Sequence, residues 1–238
     1  MIKAAIEKIL DLGKTEIKEI NGQTYSDKSL HRINHNPKAS EIEMNTLSSL
    51  VDYIKSSIDD MNNGMIIHIQ SPTRVALYSA LDADRIREHI VEVNANIPEF
   101  DFDRYIDHER FCINLQSKFF DNEDRKLLLQ VAGTVEAGSV KEYGDDGVTQ
   151  QATVKTGITS KKEVLVPSPA TLRPYRTFVE VEQPVSKFIF RMKQDKYDGI
   201  LCALYEADGG AWKIEAMKNI KNYLETELED VEGFIIIS

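Results

Sequence analysis

The sequence predicts an α+β protein with mixed or mostly antiparallel sheets, packed helices and a strand-rich C-terminal part. Strand-like and helical patterns follow one another without the regular β–α–β order that a parallel sheet requires. The last third of the chain contains many β-branched and aromatic runs, which prolines interrupt. Apolar residues make up 42% of the 238 residues, which is enough to bury a sizeable core.

A length of 238 residues predicts roughly one or two domains. We expect an N-terminal helix and polar arm over residues 1–40, an α+β domain or subdomain over 41–135, and a strand-rich α+β domain or subdomain over 149–238. The boundary loop falls at about 133–148, because glycines and acidic residues are concentrated there, above all in Gly144-Asp145-Asp146-Gly147.

The first predicted element is a short amphipathic helix over residues 2–12, which Gly13 ends. Its apolar face consists of Ile2, Ile6, Ile9 and Leu10. The run 21–40 is polar and contains an Asn-Gly turn, so it predicts a loop with at most one short strand, around Leu30 to Ile33.

A second helix is predicted from Ser40, which forms a capping-box pattern with Glu43, to the stop at Asn62-Asn63-Gly64. Three strand-like runs then predict an antiparallel meander: Met65 to Gln70, Arg74 to Leu81 and His89 to Asn94. Beyond the meander we expect two helices with one strand between them: Asp101 to Ile106, Asn122 to Val131 and, as the strand, Phe111 to Leu115.

The last third predicts five strands before a final helix: Thr149 to Lys155, Lys162 to Val166, Arg176 to Val181, Lys187 to Lys193 and Ile200 to Glu206. A helix over about 211–229 follows, because apolar residues recur at every fourth position from Trp212 to Leu228. The alternative is a hairpin through Asp208-Gly209-Gly210 with Ala211 to Glu215 as its second strand. The last expected element is a buried strand, Phe234 to Ile237.

The 29 basic and 39 acidic side chains give a net charge of −10, which excludes a generally basic nucleic-acid or anionic-membrane protein. The apolar runs are far shorter than the roughly 18 residues of a membrane-spanning helix, and a secretory signal pattern is absent. We therefore expect a cytoplasmic protein without a membrane partner. Cys112 and Cys202 lie in apolar runs outside any C-x-x-C pair, which predicts buried free thiols.

Local motifs predict no catalytic, metal or cofactor site. His31 and His35 have the spacing of two ligands on one helical face, but their neighbours favour a surface loop. The carboxylates between Asp101 and Glu109 alternate with arginines, which is typical of a solvated helix. Asp208-Gly209-Gly210 lacks the P-loop spacing, so it predicts a capped turn before a helix and not an anion site. We expect a protein that is not an enzyme and holds no cofactor.

Charge is distributed unevenly along the chain. Residues 155–196 contain nine basic and four acidic side chains, a net +5, and the remainder carries −15. Strand alternation from Lys187 to Lys193 directs the basic side chains to one face and the apolar ones to the other. The candidate basic face consists of Arg173, Tyr175, Arg176, Lys187, Arg191 and Lys193. Its candidate acidic complement consists of Glu225, Glu227, Glu229 and Asp230.

Three interpretations of these two faces remain open. They are solvated surfaces, or they join copies of the chain head to tail. In the third interpretation the basic face contacts single-stranded DNA, and Tyr175 or Tyr197 stacks on bases. The net charge of −10 disfavours nucleic acid as the partner.

Three stretches of the last third are distinctive: Leu172-Arg173-Pro174-Tyr175-Arg176-Thr177-Phe178-Val179-Glu180-Val181-Glu182-Gln183-Pro184, Phe188-Ile189-Phe190-Arg191 and Tyr205-Glu206-Ala207-Asp208-Gly209-Gly210-Ala211-Trp212. They resemble the YfdQ-like family of uncharacterised phage and prophage proteins. The similarity is clearest over about 149–224 and looser over 41–94, whereas residues 1–40 match little. The resemblance implies a protein of temperate phages and prophages that acts in the host bacterial cytoplasm, often encoded near replication and recombination genes. It implies no catalytic residues.

Together these observations predict a non-enzymatic phage accessory protein that self-assembles into a homo-oligomer and acts by binding or scaffolding. The alternative is an accessory factor of phage DNA replication or recombination that contacts single-stranded DNA through the basic strand. A third possibility is an inhibitor of a host defence or replication protein, with an acidic surface that imitates nucleic acid. The expected partner is a second copy of the chain, with a host or phage protein as the other possibility.

Overall fold

The computed structural model describes residues 2–29, 38–59, 61, 64–135, 141–142, 150–155, 161–165, 168–197 and 199–238. Its contacts divide the chain into two compact units, Met1–Ala39 and Ser40–Ser238. Three predictions lie outside the described residues: the strand at Leu30 to Ile33, the His31 and His35 pair, and the glycine-rich segment at Gly144 to Gly147.

The described chain contains helices and strands in the proportions of an α+β protein, so the predicted fold class is confirmed. The helices are α1 (Ile2–Gly13), α2 (Leu47–Ser56), α3 (His108–Lys118), α4 (Glu123–Thr134) and α5 (Ala211–Glu227). The first strands are β1 (Ile17–Ile20), β2 (Gln23–Ser26), β3 (Ile42–Met44), β4 (Met65–Ser71), β5 (Arg74–Ser79), β6 (His89–Asn94) and β7 (Ile106–Asp107). The remaining strands are β8 (Lys141–Glu142), β9 (Gln150–Lys155), β10 (Lys161–Leu165), β11 (Ala170–Leu172), β12 (Ser186–Asp195), β13 (Gly199–Glu206) and β14 (Phe234–Ile237).

The smaller unit, Met1–Ala39, consists of α1 and the antiparallel hairpin of β1 and β2. Helix α1 is the amphipathic helix that the sequence predicts. The prediction of a loop over residues 21–40 is wrong for residues 23–26, which form strand β2. Asn21 and Gly22 both adopt positive φ and form the tight turn of the β1–β2 hairpin.

In the larger unit, a five-stranded mixed sheet has the order β14-β4-β5-β6-β3. Strands β4, β5 and β6 form the predicted antiparallel meander. Strand β14 runs parallel to β4 at one edge, and β3 runs parallel to β6 at the other. The prediction that β14 is buried is wrong, because this edge strand leaves Ile235 64% exposed and Ile237 44% exposed.

Helix α2 begins later than the sequence predicts. The capping box at Ser40 and Glu43 is wrong, because residues 42–44 pair with β6 as strand β3. The N-cap is Thr46, whose side chain accepts a hydrogen bond from the Ser49 N–H at 3.1 Å.

A four-stranded sheet has the order β11-β12-β13-β7, and α3 and α4 contribute to the same core as its strands. The predicted helix at 101–106 and strand at 111–115 are wrong. Asp107 accepts a hydrogen bond from the Arg110 N–H at 2.8 Å, so the helix begins after Asp107. Phe111 and Leu115 then lie one helical turn apart, and both are buried. Helix α4 confirms the helix predicted from Asn122 to Val131, and Asn122 is its N-cap.

The strand predicted from Arg176 to Val181 is also wrong, because one buried side chain organises this segment as a loop. The Gln183 Oε1 accepts from the N–H groups of Arg176 and Thr177, at 2.9 and 3.1 Å. The Gln183 Nε2 donates to the Phe178 carbonyl at 2.7 Å. These bonds satisfy backbone groups that a strand would offer to a neighbour.

Two hydrophobic cores lie within Ser40–Ser238. The first joins the five-stranded sheet to α2 and α5 and includes Phe178, and the second joins the four-stranded sheet to α3 and α4. Each core therefore combines segments from both sides of the predicted loop at 133–148. Helix α5 confirms the predicted helix and excludes the hairpin alternative. Among the described residues, no helix is both long and apolar enough to cross a membrane.

We expect Thr46→Ala to lower the free energy of unfolding by about 1 kcal/mol, because it removes the N-cap of α2. Urea denaturation followed by circular dichroism measures the effect. Ser40→Ala is the control, and we expect a change within about 0.5 kcal/mol because the structure gives Ser40 no capping role. If Ser40→Ala lowered the free energy of unfolding more than Thr46→Ala does, Ser40 and not Thr46 would be the N-cap.

Candidate functional site

A buried arginine lies at the centre of a polar cluster in the larger unit. Arg176 is 5% exposed. Its Nη1 donates to the Glu206 Oε1 at 2.7 Å, and its Nη2 donates to the Ser186 Oγ. The same Nη2 lies 3.8 Å from the Asp208 Oδ2, and the guanidinium carbon lies 3.9 Å from the centroid of the Trp212 ring. The loop before β12, the end of β13 and the start of α5 meet here.

The electrostatics of this cluster follow from its burial. Burial lowers the pKa of Arg176 to about 10, although the charges of Glu206 and Asp208 oppose the shift. Burial would raise the pKa of Asp208, but hydrogen bonds from Ser186 and the Gly210 N–H, with the charge of Arg176, hold it below the usual range. The cluster therefore combines one cation with two carboxylates near neutral pH, a net charge of −1.

A cleft of about 420 Å³ opens beside this cluster. Its walls include four aromatic rings and two prolines: Phe100, Phe102, Tyr175, Trp212, Pro98 and Pro174. Arg176 and Glu206 form one part of its lining, and Lys118, Glu99 and Asp101 contribute further charged groups. The arrangement suits binding, because aromatic surface lies next to a few fixed polar groups.

The structure divides the predicted basic face into two places. The prediction that Arg176 lies on an exposed face is wrong, because its guanidinium is buried against carboxylates of its own chain. Arg173 is partly exposed, pairs with Glu182 at 3.1 Å and lies over the Phe120 ring at 4.4 Å. Tyr175 contacts the same Phe120 ring at 4.4 Å. These three predicted residues thus lie around the cleft region and not on the strand face.

Lys187, Arg191 and Lys193 lie together on the outward face of β12, as strand alternation predicts. The inward side chains Phe188, Phe190 and Met192 enter the second core. Sequence reasoning missed two tyrosines on this outward face. The Lys193 Nζ lies 4.4 Å from the centroid of the Tyr105 ring, and Tyr105 contacts Tyr205 edge to face at 6.3 Å. Strand alternation could have found Tyr205, but no local signal placed Tyr105 beside it. Tyr197 is 95% exposed, at the turn between β12 and β13.

The predicted acidic complement lies at the end of α5 and in the turn that follows. Glu227 pairs with Lys55 at 3.4 Å, and Glu225 pairs with Lys221 at 3.9 Å. Glu229 and Asp230 are exposed. Two of the four carboxylates therefore have basic partners within their own chain.

The other sequence candidates have local structural roles. Asp107 caps α3, and Asp101 lies 3.5 Å from the Arg110 Nη2. Asp208 accepts from the Gly210 N–H at 3.0 Å, so the glycine turn before α5 is capped by its own aspartate. Burial raises the pKa of both free thiols, Cys112 and Cys202. No group of three or more potential metal ligands occurs among the described residues.

A comparison of the chain with family models, with curated proteins and with solved structures found no match. The resemblance to the YfdQ-like family therefore stays a prediction from the sequence. The stretches that carry this resemblance supply Arg176, Gln183, Glu206, Asp208 and Trp212, and all five take part in the Arg176 cluster or in the loop beside it.

We expect Arg176→Met to lower the free energy of unfolding by about 3 kcal/mol or more, because Asp208 and Glu206 lose the cation that compensates them. Arg173→Met is the matched control. Its exposed pair with Glu182 is worth less than about 1 kcal/mol. Thermal and urea denaturation measure the stability of both variants. If the two variants lost equal free energy of unfolding, the structural role assigned to Arg176 would be wrong.

Proposed function

We propose that this protein is a non-enzymatic phage accessory protein that forms a homo-oligomer and acts by binding or scaffolding. We propose further that two copies join through the open edge of β14. The observation that carries this proposal is an edge strand, Phe-Ile-Ile-Ile, that has no charged residue and leaves two isoleucines exposed. The phage context and the cytoplasmic location rest on the sequence resemblance.

The outer edge of β14 offers backbone groups to a further strand. The Gly233 carbonyl accepts from the Met65 N–H at 2.7 Å, so residue 233 faces β4. Backbone groups alternate between the two edges of a strand, and Phe234 and Ile236 therefore direct theirs outward. An edge of this kind is a template for pairing with another chain.

The two edge strands of the five-stranded sheet differ in how well their side chains prevent pairing with another chain. Strand β3, at the opposite edge, carries the exposed carboxylate of Glu43 and follows that of Glu41. Charged side chains on an edge oppose pairing with other chains, and β14 has none. The edge strands of the four-stranded sheet are only three and two residues long. Among the edge strands of the five-stranded and four-stranded sheets, β14 is thus the apolar strand of regular length.

A second copy of β14 fits this edge by symmetry. Antiparallel pairing about a two-fold axis at Ile236 brings the outward backbone groups of the two strands together. The same register places Ile235 of one copy opposite Ile237 of the other, twice. Because Ile235 lies next to Ile66 of β4 in the sheet, these side chains extend one apolar surface across the junction.

The charges near the β14 edge distinguish an interface at this edge from the predicted pairing of the basic face with its acidic complement. Glu225 lines a small cavity beside Phe234 and Ile236, so two copies would bring like charges toward the two-fold axis. Salt screens like charges as well as opposite ones. We therefore expect an interface through β14 to persist or strengthen at high salt, whereas pairing of the basic face with the acidic complement would dissociate.

The native mass tests the proposal. We expect wild-type protein to show twice the 27.0 kDa mass of the chain at low salt and at about 1 M salt. Ile235→Lys, at a side chain that the monomer already exposes, should yield a monomer with an unchanged melting temperature.

Ile113→Lys is the matched control, because Ile113 is 58% exposed on α3 and distant in sequence from β14. It should leave the native mass unchanged. A monomeric wild-type protein would overturn self-association. An oligomer that survives Ile235→Lys, or one that salt dissociates, would overturn the β14 interface.

A second candidate function has one specific observation in its favour. Lys187, Arg191 and Lys193 share an outward sheet face with Tyr205, and Tyr105 lies beside it. Aromatic rings among cations on a sheet suit stacked bases and phosphates of a single strand. Burial and the neighbouring Tyr105 raise the pKa of Tyr205 above its usual range, where a tyrosine is already neutral at physiological pH.

Fluorescence anisotropy with a labelled oligothymidylate of about 20 nucleotides tests this candidate. We expect Lys193→Ala to weaken binding and to reduce the salt slope by about one unit. Tyr205→Leu should cost about 1 kcal/mol, roughly a fivefold loss of affinity. Lys126→Ala, on α4, is the control and should have no effect. Absence of binding by the wild-type protein at low salt would end this candidate.

A further inference from the structure

The cleft beside Arg176 has the dimensions and the rigidity of a ligand site. Its volume of about 420 Å³ lies within the range of ligand pockets. The Phe100 ring, on its wall, contacts the rings of Phe102 and Phe119 at centroid distances of 4.6 and 5.0 Å. Packing on several sides holds this wall in place, so little ordering is needed on binding.

The walls favour an apolar ring over a polar chain. Phe100, Phe102, Tyr175 and Trp212 present aromatic surface, and Pro98 and Pro174 lie among them. Aromatic-lined grooves bind proline-containing segments in the polyproline II conformation, because proline rings pack on aromatic faces and the segment is already extended.

The carboxylates of the cleft lining indicate a basic residue next to the prolines of the peptide. The cleft lining carries three carboxylates and two cations: Glu99, Asp101, Glu206, Lys118 and Arg176. Asp101 already pairs with Arg110, which lies outside the lining. Asp208, behind Arg176, adds a further negative charge. The side chain of Glu206 is 32% exposed, so its carboxylate remains within reach of a basic side chain.

We propose that this cleft binds an extended, proline-containing peptide segment that carries a basic residue beside its prolines. The prolines pack between the aromatic rings, and the basic side chain meets Glu206. This binding is separate from self-association, because β14 contributes no residue to the cleft.

Trp212 is the only tryptophan of the chain, so its fluorescence reports directly on the cleft. The probe is a synthetic peptide of six prolines followed by two arginines. We expect a saturable change in Trp212 emission with the full-length wild-type protein. A peptide with alanines in place of the prolines, and one with glutamates in place of the arginines, should each bind at least about tenfold more weakly, since each loses at least one hot-spot contact of about 1.4 kcal/mol.

Two pairs of variants locate the binding. Tyr175→Leu and Glu206→Gln should weaken it, whereas Tyr197→Leu and Glu182→Gln, outside the cleft lining, should leave it unchanged. Melting temperatures of all four variants verify that the fold is retained. Should Glu206→Gln fail to fold, the peptide series on the wild-type protein still decides the matter.

Absence of a saturable change, or equal binding of the alanine peptide, would overturn the proposal for proline recognition. Equal binding of the glutamate peptide would overturn the role of the carboxylates. The same titration with Ile235→Lys separates the two proposals, because that variant should bind the proline peptide as the wild type does.

Discussion

The burial of one guanidinium group organises the larger unit. Arg176 bonds to Ser186 at the start of β12 and to Glu206 at the end of β13, and it stacks on Trp212 in the first turn of α5. An unpaired charge in this position would be costly, so the two carboxylates and the arginine require one another. Three consecutive elements and the loop before them are thereby held at one point.

The same loop joins the two cores. Leu172 packs in the core of the four-stranded sheet, whereas Phe178 packs in that of the five-stranded sheet. The Thr177 hydroxyl donates to the Pro72 carbonyl in the turn between β4 and β5. This hydrogen bond connects the loop to the five-stranded sheet. The five-stranded and four-stranded sheets are separate, and a cleft opens beside Arg176.

Three surfaces of the larger unit differ in chemistry and therefore in their response to salt. The edge of β14 is apolar, the outward face of β12 is basic with two tyrosines nearby, and the cleft is aromatic with a negative rim. Contacts through the first should survive salt, whereas phosphate contacts at the second weaken steeply. A single salt series thus discriminates between the oligomeric and the nucleic-acid interpretations of the same chain.

The sequence by itself determined the elements whose signals are local: the meander strands, the alternation of β12, helix α4, and α5 with its four-residue spacing. It misplaced α2 and α3, because Thr46 and Asp107 compete with other capping residues nearby, and only the finished packing selects among them. Lys187, Arg191 and Lys193 could be placed on one face, but the burial of Arg176 could not be predicted. Its carboxylate partners, Glu206 and Asp208, lie 30 and 32 positions away in the chain, and only tertiary structure brings such groups within the distance of a hydrogen bond or an ion pair.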